Sequence, residues 1–145
     1  LLNDGHEMGN NCVSDKPYHN TSEFGFEAAL EKTGESIEAL QGFRTPWFRA
    51  PHGKLSPIME RVLARHGLIN IMVDCYANDP FIPDAQYLAD FILRYVDDGS
   101  IVLLHMPERG FREWNFEALK LVLEGLKLKG LQAVTISQLH SRAQG

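Results

Sequence analysis

Two short apolar runs constrain this chain more than any other feature. Leu68-Ile69-Asn70-Ile71-Met72-Val73 and Ser100-Ile101-Val102-Leu103-Leu104 are nearly continuous in apolar side chains, and they end at Asp74 and His105 respectively. Runs of this length bounded by polar residues predict strands covered on both faces. A loop carrying Pro80 and Pro83 follows the first, then a helical pattern of Leu88, Phe91, Ile92 and Tyr95. Leu119, Val122, Leu123 and Leu126 mark a helix after the second, and Gln132 to Ile136 predicts a last strand. The upstream part repeats the alternation. Asn20-Thr21-Ser22 before Glu23 supplies N-cap chemistry for a helix through Phe26, Ala29, Leu30, Thr33, Ile37 and Leu40, ending at Gly42. Trp47-Phe48-Arg49 predicts a short strand running into Ala50-Pro51-His52-Gly53, after which Ser56-Pro57 opens a helix through Ala64 that Gly67 closes. Buried strands separated by helices pair in parallel, so the expected class is α/β, a parallel sheet or barrel with helices outside. No repeat or linker interrupts the 145 residues, and one domain over 1–145 is expected.

Composition narrows the partners. A net charge of -5 without a Lys/Arg cluster argues against nucleic acid or an anionic membrane surface as the main partner, and favours small or neutral ones. No apolar run approaches the roughly 18 to 20 residues of a membrane span, and "LLNDGHE" lacks the basic start and apolar core of a signal peptide. Leu1-Leu2 has the character of the end of an apolar segment, and the chain is expected to be N-terminally incomplete. Cys12 and Cys75 are compatible with either redox compartment, and two packed free thiols are expected rather than a bridge. Compartment and oligomeric state stay open.

Chemistry in parallel α/β folds gathers beyond the C-terminal ends of the strands. Arg49, Asp74 with Asp79, and His105 each fall at or just past a predicted strand end, and the opening loop "GHEMGNNCVSD" is expected at the same mouth.

These residues occur in an order that resembles the polysaccharide deacetylase family, the NodB-homology domains of carbohydrate esterase family 4. The loop Gly5-His6-Glu7-Met8-Gly9-Asn10 follows that family's second motif, Gly-His-Glu-(apolar)-Gly-Asn-His-Thr-x-x-His, and then carries Asn11 and Asp15 at its two histidine positions. Arg49-Ala50-Pro51-His52-Gly53 is similar to the third motif, Arg-x-Pro-Tyr-Gly, with His52 in place of tyrosine. Asp74-Cys75-Tyr76-Ala77-Asn78-Asp79-Pro80 is loosely similar to the fourth, Asp-x-x-Asp-Trp, with longer spacing and Pro80 for the tryptophan. Leu103-Leu104-His105 meets the fifth, Leu-x-His at a strand end. Nothing in the chain matches the first motif, Thr-Phe-Asp-Asp-Gly, which supplies the family's catalytic base and a metal ligand. The resemblance implies a partial, distorted (β/α) barrel lacking its first strand region. It further implies metal-assisted removal of acetyl groups from an N-acetylated carbohydrate such as chitin.

Carried onto this chain, the resemblance makes His105 the acid that protonates the leaving nitrogen and Asp79 the carboxylate paired with it, with Asp74 as the alternative occupant. Arg49 would order the site and support the base carboxylate. The His52 N–H would donate to the developing oxyanion, a main-chain role indifferent to the side chain, while its imidazole lines the groove. Asn11 and Asp15 would stand toward a zinc-like divalent metal. Aspartate is a competent ligand and a neutral amide a poor one for zinc, so metal binding is expected to be weak or absent, and hydrolysis impaired. Cys12 is expected to pack rather than to ligate. His6 and Glu7 are expected to shape the loop, and His19, His66 and His140 to sit in loops or at helix ends. Met106 to Phe111 together with Trp114 are richer in aromatic and polar groups than a connection requires, which suits either sugar stacking or core packing. The competing reading is a non-catalytic carbohydrate-binding or structural relative.

Overall fold

The computed structural model of the protein describes residues 2–145, and Leu1 lies outside the described residues. The chain forms two compact units, one ending at Met72 and the other spanning Val73–Gly145, each with its own core.

The first unit is built on helix α1, Glu23–Gln41. The Ser22 hydroxyl accepts from the Gly25 N–H at 3.2 Å, satisfying a donor that the first turn leaves free. Gly42 ends the helix with a φ of 84°, a left-handed conformation that glycine adopts without a Cβ penalty. Phe26, Ala29, Leu30 and Ile37 are buried, whereas Leu40, expected on the same face, is exposed in the last turn. The core is aromatic. Phe26 meets Phe48 edge to face at 5.9 Å between ring centroids, and Tyr18 packs on it at 6.1 Å. Strand β1, Trp47–Phe48, pairs in parallel with β2, Ile69–Asn70. Asn10 adds a parallel bridge to Phe48, with its N–H on the Trp47 carbonyl and its carbonyl accepting from Arg49. Helix α2, Pro57–Arg65, is capped by Ser56, and its last turn ties to α1 through Arg65 with Glu23 and Glu27, and His66 with Glu27 and Glu31.

The second unit pairs β3, Cys75–Tyr76, in parallel with β4, Val102–Leu103. The connection contains α3, Ala85–Tyr95, whose first turn is capped by Asp84. Helix α4, Trp114–Leu128, packs against α3 over Leu88, Ala89, Ile92, Ala118, Val122 and Leu126. Gly125 permits the approach, because a Cβ there would lie 2.2 Å from Leu93 Cδ1. The chain ends with α5, Ile136–Ala143.

Helices alternate with parallel pairs, as the α/β reading expects. Three expectations fail locally, the first being that Ser100 to Leu104 form a strand covered on both faces: only Val102–Leu103 pair, and all five residues are half-buried. The run 68–73 is not one buried strand: only Ile69–Asn70 pair, Ile69 and Met72 are exposed, and the next strand begins at Cys75 in the second unit. A short ladder covers too little of the run to bury every apolar side chain. Gln132 to Ile136 is no strand, because Thr135 caps α5 in a reciprocal capping box with Gln138, which commits Ile136 to the helix.

Phe26→Ala should lower unfolding stability by about 3–5 kcal/mol in denaturant titration, whereas Phe24→Ala, at a position 83% exposed, should change it by less than about 0.5 kcal/mol.

Candidate functional site

In the first unit the opening loop is held by three side chains. Asn10, buried, donates from Nδ2 to the Leu30 carbonyl at 2.9 Å and accepts from the Cys12 N–H at 3.0 Å. Glu7 Oε1 accepts from the Trp47 indole N–H at 2.9 Å, so Glu7 shapes the loop as expected. Asn11, half-buried, donates from Nδ2 to the Arg49 carbonyl, and this fixes the loop against the end of β1. His6 is exposed.

Beyond β1 the chain turns sharply at Pro51–Gly53. His52 takes a φ of 56°, a left-handed conformation that is strained for a residue with a Cβ. The turn is closed by the N–H groups of Gly53 and Lys54, which donate to the Ala50 and Pro51 carbonyls. Asn70 supports the turn by accepting from the Ala50 N–H at 3.2 Å. The imidazole of His52 lies outward, its Nε2 3.2 Å from Asp15 Oδ1, and Asp15 is itself 92% exposed at the side chain. Arg49 is half-buried, and its guanidinium has no ion pair among the described residues. The first unit thus brings together Asn11 with Arg49, and Asp15 with His52.

These donors do not fit a zinc-like ion. Such a site draws at least three ligands, with a preference for imidazole and thiolate. Among the described residues no group of three or more His, Cys, Asp or Glu side chains is assembled to hold a metal. Asn11 is committed through its amide nitrogen, and Asp15 stands in solvent beside His52. Cys12 cannot easily replace them, because burial pushes its thiol up to about 12 and a ligand must be the thiolate. Both cysteines are free, and burial raises the Cys75 thiol as well.

The second unit holds the more developed constellation. Asp79 is fully buried, and its carboxylate meets three donors: the His105 backbone N–H at 3.0 Å on Oδ2, the His105 Nδ1 at 3.0 Å on Oδ1, and the Asn115 amide on Oδ2. Asp79 follows β3 and His105 follows β4, so the parallel pairing delivers both to the same strand ends. Because a carboxylate only accepts, Nδ1 carries the proton in this contact and Nε2 is left for other partners. The imidazole is partly exposed, and Tyr76 stands edge-on to it at 6.1 Å. A groove of about 690 Å³ runs from His105 and Met106 along Leu119 and Leu123 toward Val134.

One residue departs from its expected role. Asp74 precedes β3, and its Oδ1 accepts from the Ile101 N–H at 2.8 Å just before β4. It closes the opposite end of the strand pair and cannot stand in for Asp79. Trp114 is half-buried, packs on the second core, one of its two expected fates, and donates Nε1–H to the Asp79 carbonyl at 3.0 Å. Asn115, Tyr76 and Asn70 were missed. Asn70 alone left a trace, as the one polar residue inside an apolar run.

No protein-family model matches the chain. It is 25% identical over 147 residues to a peptidoglycan-N-acetylglucosamine deacetylase of Bacillus cereus, covering 99% of this chain and 52% of that protein. The structure is similar, with a TM-score of 0.85 and 28% identity, to a family 4 acetyl xylan esterase from Clostridium thermocellum in complex with a cobalt ion, covering 97% of this chain and 66% of that one. It is likewise similar, with a TM-score of 0.85 and 25% identity, to a mutant of BA3943, a family 4 pseudoenzyme with restored enzymatic activity, covering 95% of this chain and 49% of that one. The chain spans about half the length of the curated relatives it matches, 42% and 52%.

The thiol shift predicts that at pH 8 Cys12 carries roughly a thousandfold less thiolate than an ordinary cysteine. Iodoacetamide should label it slowly in the folded chain and rapidly in denaturant, as read by peptide mass spectrometry.

Proposed function

We propose that this chain, a divergent relative of the polysaccharide deacetylases of carbohydrate esterase family 4, carries an impaired form of the chemistry that removes acetyl groups from N-acetylated carbohydrate of the chitin type. In this reading the proton-donating part of the chemistry is retained and the metal-holding part is weakened. The observation that carries it is the Asp79–His105 pair, a buried carboxylate holding Nδ1 of an imidazole at the strand ends. The finer architecture we propose is the distorted (β/α) barrel of the NodB type, as one domain over 1–145.

Hydrolysis of an acetamide needs a nucleophilic water, a donor for the carbonyl oxygen and a proton for the departing amine. His105 is suited to the last. With Nδ1–H on Asp79, a second proton on Nε2 can pass to the nitrogen as the C–N bond breaks, and Asp79 meets the charge of the imidazolium before that transfer. The family resemblance assigns the His52 N–H to the oxyanion and Arg49 to the support of the base carboxylate. A divalent ion activates the water in this chemistry. Asn11 and Asp15 are a poor donor set for it.

A second reading is a non-catalytic carbohydrate-binding relative. It is favoured by the same donor set.

Metal analysis after dialysis should find well below one zinc per chain, and acetate release from N-acetylchitooligosaccharide should be undetectable. One tightly held zinc per chain would sink this reading. Changing Asn11→His together with Asp15→His should increase zinc retention. If acetate release then appears, adding His105→Gln should reduce it by roughly 10²–10⁴-fold. If the histidine variant holds zinc and binds the oligosaccharide in calorimetry but releases no acetate, the binding reading replaces hydrolysis.

A further inference from the structure

We propose that Asn115 is a positioning residue for the Asp79–His105 pair, holding the imidazole in its Nδ1–H form with Nε2 presented outward. The proposal rests on the reading of His105 as the proton donor.

Asn115 is fully buried in the first turn of α4. Its amide nitrogen donates both to Asp79 Oδ2 and, at 2.9 Å, to the His105 carbonyl. An amide NH₂ has two protons in one plane, and here both point at acceptors. One acceptor belongs to the carboxylate that holds the imidazole, and the other to the backbone that carries it. Asn115 therefore fixes the two partners relative to each other. The amide cannot flip, because its oxygen would then face a carboxylate and a carbonyl, neither of which can donate.

The opposite side of the amide is consistent with this role. Asn115 Oδ1 is buried without a hydrogen-bond partner among the described residues. A buried unsatisfied acceptor is unfavourable, and leucine at this position would remove it. The donors are what an apolar residue of similar size cannot supply. Aspartate cannot supply them either, since a second carboxylate would sit against Asp79. The pair then relies on Asn115 for orientation, while Trp114 secures the Asp79 backbone.

The test is the tautomer of His105, read from ¹⁵N imidazole spectra of the full chain at neutral pH and assigned by loss of the signal in His105→Gln. In the parent the neutral imidazole should be the Nδ1–H tautomer. In Asn115→Leu, checked for folding by circular dichroism, the Nε2–H tautomer should rise to a comparable population. Asn115→Ser, smaller and keeping one donor, should fall between the two and serves if the leucine variant does not fold. A folded Asn115→Leu, or a folded Asn115→Ser where leucine does not fold, whose tautomer ratio equals the parent's overturns the proposal. The reading of His105 as acid fails separately: if the tautomer shifts with Asn115 but His105→Gln leaves acetate release of the zinc-retaining histidine variant unchanged, positioning stands and the proton-donor role falls.

Discussion

A carboxylate withdrawn completely from water is tolerated only where its charge and lone pairs are met, and Asp79 is such a group. Three elements of the second unit contribute to meeting it. β3 leads to the aspartate, β4 to the backbone and imidazole of His105, and the first turn of α4 to the amide of Asn115 and the indole of Trp114. The parallel register brings the two strand ends level, and the helix enters at the height its side chains require. The chemistry of His105 follows from this arrangement, since the same contacts that stabilise the buried charge leave one imidazole nitrogen outward.

The first unit solves a different problem, holding an irregular loop on a two-residue strand. Asn10 does this as a peptide extension would, bonding to Trp47 and Arg49 through its backbone and to Leu30 and Cys12 through its side chain. Glu7 pins the loop's entry through the Trp47 indole. The loop is therefore well held even though its donors suit a zinc-like ion poorly. Keeping a loop's frame and keeping its ligands are separate requirements, and Gly5 to Asn10 meets the first while Asn11 and Asp15 alter the second.

Much of the architecture was legible in local chemistry. Ser22 and Gly42 bound α1, and Ser56-Pro57 opens α2, because caps act within one turn and need no distant partner. The tail was misread because apolar content in Gln132 to Ile136 outweighed the capping box of Thr135 and Gln138, which lay equally open in the residues. The run 68–73 was misread for a deeper reason. Apolar character measures a tendency to be buried, and whether Ile69 or Met72 has something to be buried against depends on elements elsewhere in the chain.

The residues by themselves determined the α/β class and the ends of α1 and α2, and the resemblance of their ordered motifs implied the pairing of a late aspartate with a strand-terminal histidine. Each follows from periodicity, capping or ordered motifs. Only the tertiary structure decided that Asp79 rather than Asp74 meets His105, since the two lie five positions apart but at opposite ends of one short strand. It alone placed the Trp114 indole on a backbone carbonyl and the Asn115 amide between carboxylate and carbonyl. Such contacts join residues from 10 to 36 positions apart, and which donor reaches which acceptor is set by how helix and strand ends meet.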